Sequence, residues 1–176
     1  MKKKLKVTLI ITISLCLLLG ALWAYPFIRF SMIMPVPSVS TMKKTFEKNQ
    51  ANIHQVSDVL QTLDFDFADI HNTDKDYHLI KGYYYPNFSE ASYTIGDENV
   101  LKSIRFLFHI AACDMIKKEE NCIFFRWWCT MSEQCGIVYS MDGKLPMVDE
   151  ELKPKIQQIL EPLGYDNWYY YYSKWP

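Results

Sequence analysis

Hydrophobic and polar positions divide this chain into an uncharged opening run and a patterned remainder. From Val7 to Ile28 no charged residue occurs. As a helix that run spans roughly 33 Å at about 1.5 Å per residue, enough to cross a bilayer core of roughly 30 Å. Lys2, Lys3, Lys4 and Lys6 precede it and Arg29 follows it, a bias that orients the N-terminus inside and the rest outside. Trp23, Tyr25 and Phe27 cluster where the distal headgroups would lie. A cleavable export signal has the same outline but needs small residues at the last and third-last positions before the cut. Ala24 is paired with Leu22, Ala21 with Leu19, and Cys16 is preceded by bulky Leu15. The expectation is an uncleaved single-pass anchor over residues 1–30, with secretion after cleavage as the alternative.

The remainder alternates helical and strand periodicities. Met34-Pro35-Val36-Pro37-Ser38 reads as a short extended stalk within residues 31–40, since each proline pushes its predecessor out of helical geometry. Ser40 or Thr41 can cap a helix running to about Leu63, with Phe46, Ile53, Val56, Leu60 and Leu63 at three- and four-residue spacings and Asn49 in one expected apolar place. Phe65–His71 and His78–Tyr85 read as a hairpin around a polar turn. Asp97 can cap a second helix reaching about Ala111, with Val100, Ile104, Leu107, Phe108 and Ala111 on its apolar face. Strands are expected over Met115–Lys118, Cys122–Thr130, Gly136–Ser140 and Trp168–Ser173, with a third helix over Glu150–Leu160. Strands joined by short turns imply an α+β domain over residues 41–176, a mostly antiparallel sheet packed with about three helices.

Charge and cysteine content change this picture in two ways. After residue 30 there are twenty Asp and Glu against fourteen Lys and Arg, a net charge of −6, which argues against nucleic acid as a partner. Cys113, Cys122, Cys129 and Cys135 are four thiols in a part expected to be exported, where disulfides are permitted. Four cysteines allow three connectivities; the strand pattern favours Cys113–Cys122 and Cys129–Cys135. No Cys-x-x-Cys pair suggests zinc, and no metal or cofactor is expected.

Gly136-Ile137-Val138-Tyr139-Ser140-Met141-Asp142-Gly143, Glu161-Pro162-Leu163 and Asn167-Trp168-Tyr169-Tyr170-Tyr171 form a C-terminal pattern. It resembles a group of small exported or membrane-anchored proteins of low-GC Gram-positive bacteria with no assigned activity. The resemblance covers the last third of the chain and departs at Asn167, where glycine is expected, and at the cysteines. It implies the compartment and the sheet, and no catalytic residue.

Candidate chemistry is sparse. Asn72, Asp74, Asp76 and His78 alternate as in a calcium loop, but Tyr77 and Tyr83 stand where such a loop needs Gly and a bidentate acid. Asp64, Asp66, Asp69, His71 and His78 make the densest ionisable group, so an exported hydrolase using Asp66, Asp69, His71 or His78 is one reading. Nucleophile-elbow and phosphate-loop sequences are absent, and a cysteine acting with His109 would need a free thiol. The aromatic runs carry the other reading. Alternate residues of a strand face opposite ways, so one residue of each pair should be exposed or covered by a partner. Trp127, Trp128, Tyr169 and Tyr171 are the expected recognition surface for a protein, peptide or glycan near the membrane. A binding or interaction module is the expectation, the hydrolase its alternative.

Overall fold

The structure, a computed structural model, describes residues 35–74, 76–144 and 157–175. The expected anchor and the first part of the third expected helix lie outside them. Among the described residues no helix is long and apolar enough to cross a membrane.

Helix α1 (Val39–Gln61) starts slightly earlier than its pattern suggests, because Ser38 takes the cap position and accepts from Thr41 N at 3.3 Å. Its buried stripe is Met42, Phe46, Asn49, Ile53, Val56 and Leu60. Asn49 is tolerated in that stripe because its Nδ2 donates to Thr45 O at 2.7 Å. Helix α2 (Glu98–His109) is capped by Asp97, which accepts from Asn99 N at 2.8 Å. It buries Val100, Leu101, Ile104, Leu107 and Phe108. The helices meet at Ser103, whose Oγ lies 3.0 Å from Asn52 Oδ1 and 2.7 Å from Gln55 Oε1. At the stalk, Tyr170 Oη donates to Pro37 O at 3.2 Å, tying the chain before α1 to the sheet.

Eight strands follow in chain order: β1 (Phe67–His71), β2 (Leu79–Tyr84), β3 (Ser89–Thr94), β4 (Met115–Glu119), β5 (Cys122–Cys129), β6 (Glu133–Ser140), β7 (Gln157–Tyr165) and β8 (Trp168–Lys174). They form one sheet in the order β3-β2-β1-β4-β5-β6-β8-β7, and every neighbouring pair is antiparallel. The α+β class with an antiparallel sheet is therefore as the sequence implies. On one face, called inner here, Ala68, Ile70, Ile80, Ile116, Ile123, Phe125, Ile137, Trp168 and Tyr170 join α1 and α2 in the main core. A smaller cluster of Cys122, Val138 and Tyr171, flanked by Phe124, Leu160 and Tyr169, lies on the outer face.

Two elements differ from expectation. β3 was not anticipated: Ser-Glu-Ala-Ser-Tyr-Thr is polar and mostly exposed, so an edge strand without a buried face carries no period-two signal. The expected helix through Leu160 is corrected over its last residues, since Gln157–Leu160 belong to β7 and pair with β8. Ile159-Leu160 suits either element. The turn into β8 decides for the strand, with Gly164 and Asn167 at φ 86° and 63° bringing the chain straight back. Asparagine tolerates that left-handed geometry, which accounts for Asn167 in a place suited to glycine.

Gly82 shows how tightly β1, β2 and the preceding loop are packed. A Cβ there would overlap the Phe65 ring and the Phe67 carbonyl oxygen, neither of which can withdraw without breaking the inner face. Gly82→Ala is expected to cost about 1–3 kcal/mol, the usual price of overpacking, measured by denaturant unfolding. A loss under about 0.5 kcal/mol would contradict this packing.

Candidate functional site

Three parts of the chain converge at one end of the outer face. The sheet register sets Tyr83 beside Phe67 and Phe67 beside Glu119, so β2, β1 and β4 present these side chains in a row. Beyond β2 the chain turns through Tyr85 and Phe88, and beyond β4 through Glu120. Together with Asp66 and Tyr84 these residues line a cleft of about 470 Å³. The Phe67 and Tyr83 ring centres are 6.3 Å apart, and those of Tyr85 and Phe88 are 5.5 Å apart, edge to face. Tyr85 and Phe88 remain 68% and 67% exposed, although large rings normally gain by burial.

Asp66 holds this end together. Its carboxylate accepts from Tyr85 N at 2.7 Å, its own N–H donates to Tyr83 O at 3.1 Å, and its carbonyl accepts from Glu120 N at 2.6 Å. One residue before β1 thus fixes the end of β2, the turn after it and the β4–β5 turn. Below the cleft, on the inner face, Lys118 is buried and donates to Phe65 O at 2.5 Å. Burial pushes its pKa down, while Asp66 and Asp64 oppose that shift. Tyr84 donates to Asp64 at 3.1 Å, which raises the phenol pKa.

Electrostatically the cleft combines rings with carboxylates. Glu119 is shared with Lys117, which also lies 5.1 Å from the Phe67 ring centre. Glu120 forms no ion pair among the described residues. Phe88 and Glu120 both adopt left-handed backbone, at φ 51° and 48°, geometry that favours glycine. The other two such non-glycine residues have ordinary reasons: Asn167 is tolerant by type, and Ala112 follows the end of α2, where helices commonly turn left-handed. Phe88 and Glu120 stand in the short β2–β3 and β4–β5 hairpin loops, whose turns call for positive φ, so an aromatic and an acid occupy places that glycine would fill with less strain.

The residues singled out from sequence fall elsewhere, with one exception. Asp66 lines the cleft, but its carboxylate is engaged by backbone. Asp69 and His71 share the outer face, with Oδ2 and Nε2 3.2 Å apart and both side chains about 40% exposed. Neither they nor His78 line the cleft. Among the described residues, no group of three or more His, Cys, Asp or Glu side chains could hold a metal.

The four candidate aromatics are divided between faces. A register shift between Arg126 and Trp128 interrupts β5, so Trp127 and Trp128 do not alternate as in a regular strand. Both pack against the main core, and Trp127 Nε1 donates to Ala111 O at 2.7 Å. Tyr171 is 3% exposed and packs, with Tyr169, in the outer cluster. No shared exposed patch results. The exposed rings of the cleft were missed because Tyr85 and Phe88 lie in a turn, where strand periodicity says nothing.

Neither expected cysteine pairing is formed; all four thiols are free. Cys122 faces Glu119, and Cys113 lies six residues before Glu119, about 20 Å along the strand direction. Cys129 faces Gln134 while Cys135 faces Trp128, so the two sulfurs point to opposite faces. Burial pushes Cys122 up to about 11 and Cys135 up to about 12, and raises Cys113 further. These three thiols are poorly suited to nucleophilic chemistry with His109 or any other base.

Comparison with family models, with curated proteins and with solved structures returns no match.

Two measurements check this description. Of the four thiols after residue 31, Cys129 alone should react rapidly with a thiol reagent in the native protein; rapid reaction of Cys113 or Cys135 would contradict their burial. Glu120→Gly should stabilise the fold by about 1 kcal/mol by relieving the left-handed backbone, and an unchanged unfolding midpoint would contradict that strain.

Proposed function

We propose that this chain is a membrane-tethered extracytoplasmic recognition domain whose ligand presents a cationic group to the cleft. The charge-free run behind a lysine cluster supports the tether and its orientation. The observation that carries the ligand class is the composition of the cleft: Phe67, Tyr83, Tyr85 and Phe88 with Asp66, Glu119 and Glu120. Ring faces attract cations through their quadrupole, and nearby carboxylates add charge attraction and exclude anions. Guanidinium, ammonium and quaternary ammonium groups all suit that chemistry.

Magnitudes bound the affinity. Exposed cation–ring contacts contribute about 0.5–1 kcal/mol each; with Lys117 already over the Phe67 ring, the other three rings give at most about 3 kcal/mol, a Kd of several millimolar. A single cation is therefore held weakly. The hydrolase alternative has the Asp69–His71 contact in its favour. Neither residue lines the cleft, and the cleft reading accounts for more of the structure.

Arginine amide titrated into the full-length chain in detergent, followed by tyrosine fluorescence or calorimetry, tests the proposal. Millimolar binding is expected, weakened about 2–5-fold by Tyr85→Ala, in line with one lost ring contact, and also weakened by Glu120→Gln. Trp127→Ala should instead lower stability with little effect on affinity. Absence of binding, or sensitivity to Trp127 rather than Tyr85, would overturn the cleft as the site.

A further inference from the structure

The two edges of the sheet are built differently. β7 carries Pro162 and a register shift between Pro162 and Tyr165, both of which hinder the pairing of another strand. β3 has no proline, lysine or bulge, and it pairs with β2 in unbroken register from Ser89 to Thr94. Its side chains are almost all exposed. Ile95 N donates to His78 O at 2.7 Å, which fixes the alternation: Tyr93 and Ala91 bond inward to β2, while the backbone N–H and C=O groups of Glu90, Ser92 and Thr94 point away from the sheet. Among the described residues no strand pairs with this side of β3, and an edge of this kind accepts an added strand.

The register joins this edge to the cleft. Glu90 faces Tyr83, Tyr83 faces Phe67, and Phe67 faces Glu119, so an acid begins a row that reaches the Tyr83 ring first and ends at Phe67 and Glu119, where Lys117 already sits as a cation. We infer that β3 is a strand-addition site for an extended, basic segment of a partner protein, whose arginine or lysine crosses Glu90 into the cleft. The inference rests on the cationic-ligand reading above and supplies what it lacked, since backbone pairing adds the affinity a single cation cannot. An outer-face residue of the added strand beside Glu90 starts about 10 Å from Tyr83, two strand spacings. An extended arginine and the Tyr83 side chain close that span between them. Glu90 makes the selection by charge: a basic strand is attracted along the row and an acidic one is repelled.

The test uses the full-length chain in detergent and a fluorescently labelled seven-residue peptide of alternating arginine and threonine, with free arginine amide as the single-cation probe. The peptide should bind at least tenfold more tightly than arginine amide. Ser92→Pro removes an outward N–H without removing a bond to β2, and should weaken the peptide at least tenfold while leaving arginine amide within twofold. Glu90→Lys keeps every backbone group and should also weaken the peptide, so a misfolded proline variant leaves the question answerable. Equal binding of peptide and amide, or a peptide affinity indifferent to both substitutions, would overturn the added strand and leave the cleft intact. Binding of neither probe would overturn both, whereas binding of the amide without the peptide would overturn the added strand alone.

Discussion

The structure depends on one constraint: antiparallel strands show a single face to two amphipathic helices. Period two along the strands and the buried stripes of the helices must therefore agree. Phe46, Ile53 and Leu60 of α1 and Leu101, Ile104 and Leu107 of α2 meet Ile80, Ile116, Ile123, Phe125 and Ile137 across that surface. Burying side chains of this size contributes about 1.5–3 kcal/mol each, far more than any exposed ion pair here. A one-residue slip in any central strand would reverse its faces and lose that burial. The same constraint fixes what the outer face presents, and so sets the row that begins at Glu90 and ends at Glu119.

The sequence is legible where burial is one-sided. The stripe of α1, the cap at Asp97 and the strands β1, β2, β4, β5, β6 and β8 all carry their period openly. β3 does not, because at an edge neither of its faces is buried. The last residues of the expected third helix were misread because Ile159-Leu160 fits both periods, and only pairing with β8 decides between them. The tryptophans were misplaced for a different reason. Strict alternation would expose one of Trp127 and Trp128, but the bulge beside them lets both pack inward. The disulfide expectation failed on register, since spacing in sequence does not say which end of a hairpin a cysteine occupies. Asp66 stands out in the sequence by its charge, whereas its place in the structure comes from three backbone partners that no sequence pattern reveals.

The cleft gathers the places where local preference is overruled. Phe88 and Glu120 hold left-handed backbone at a cost of about 1–2 kcal/mol each, and Tyr85 and Phe88 leave large rings in water. A sequence shaped by folding alone would set glycine at both left-handed positions and polar residues in the turn after β2. Instead, Asp66 pins the backbone of Tyr83, Tyr85 and Glu120, which reduces the ordering to be done when a ligand arrives. Beside them runs a sheet edge without the usual protection. Departures of this kind are expected where function competes with stability, and their coincidence at one end of one face is a stronger argument than any one of them. The outer aromatic cluster of Cys122, Val138 and Tyr171 is close-packed and free of such departures, so it reads as architecture. Binding belongs instead to the end of the sheet where rings, acids and open backbone meet.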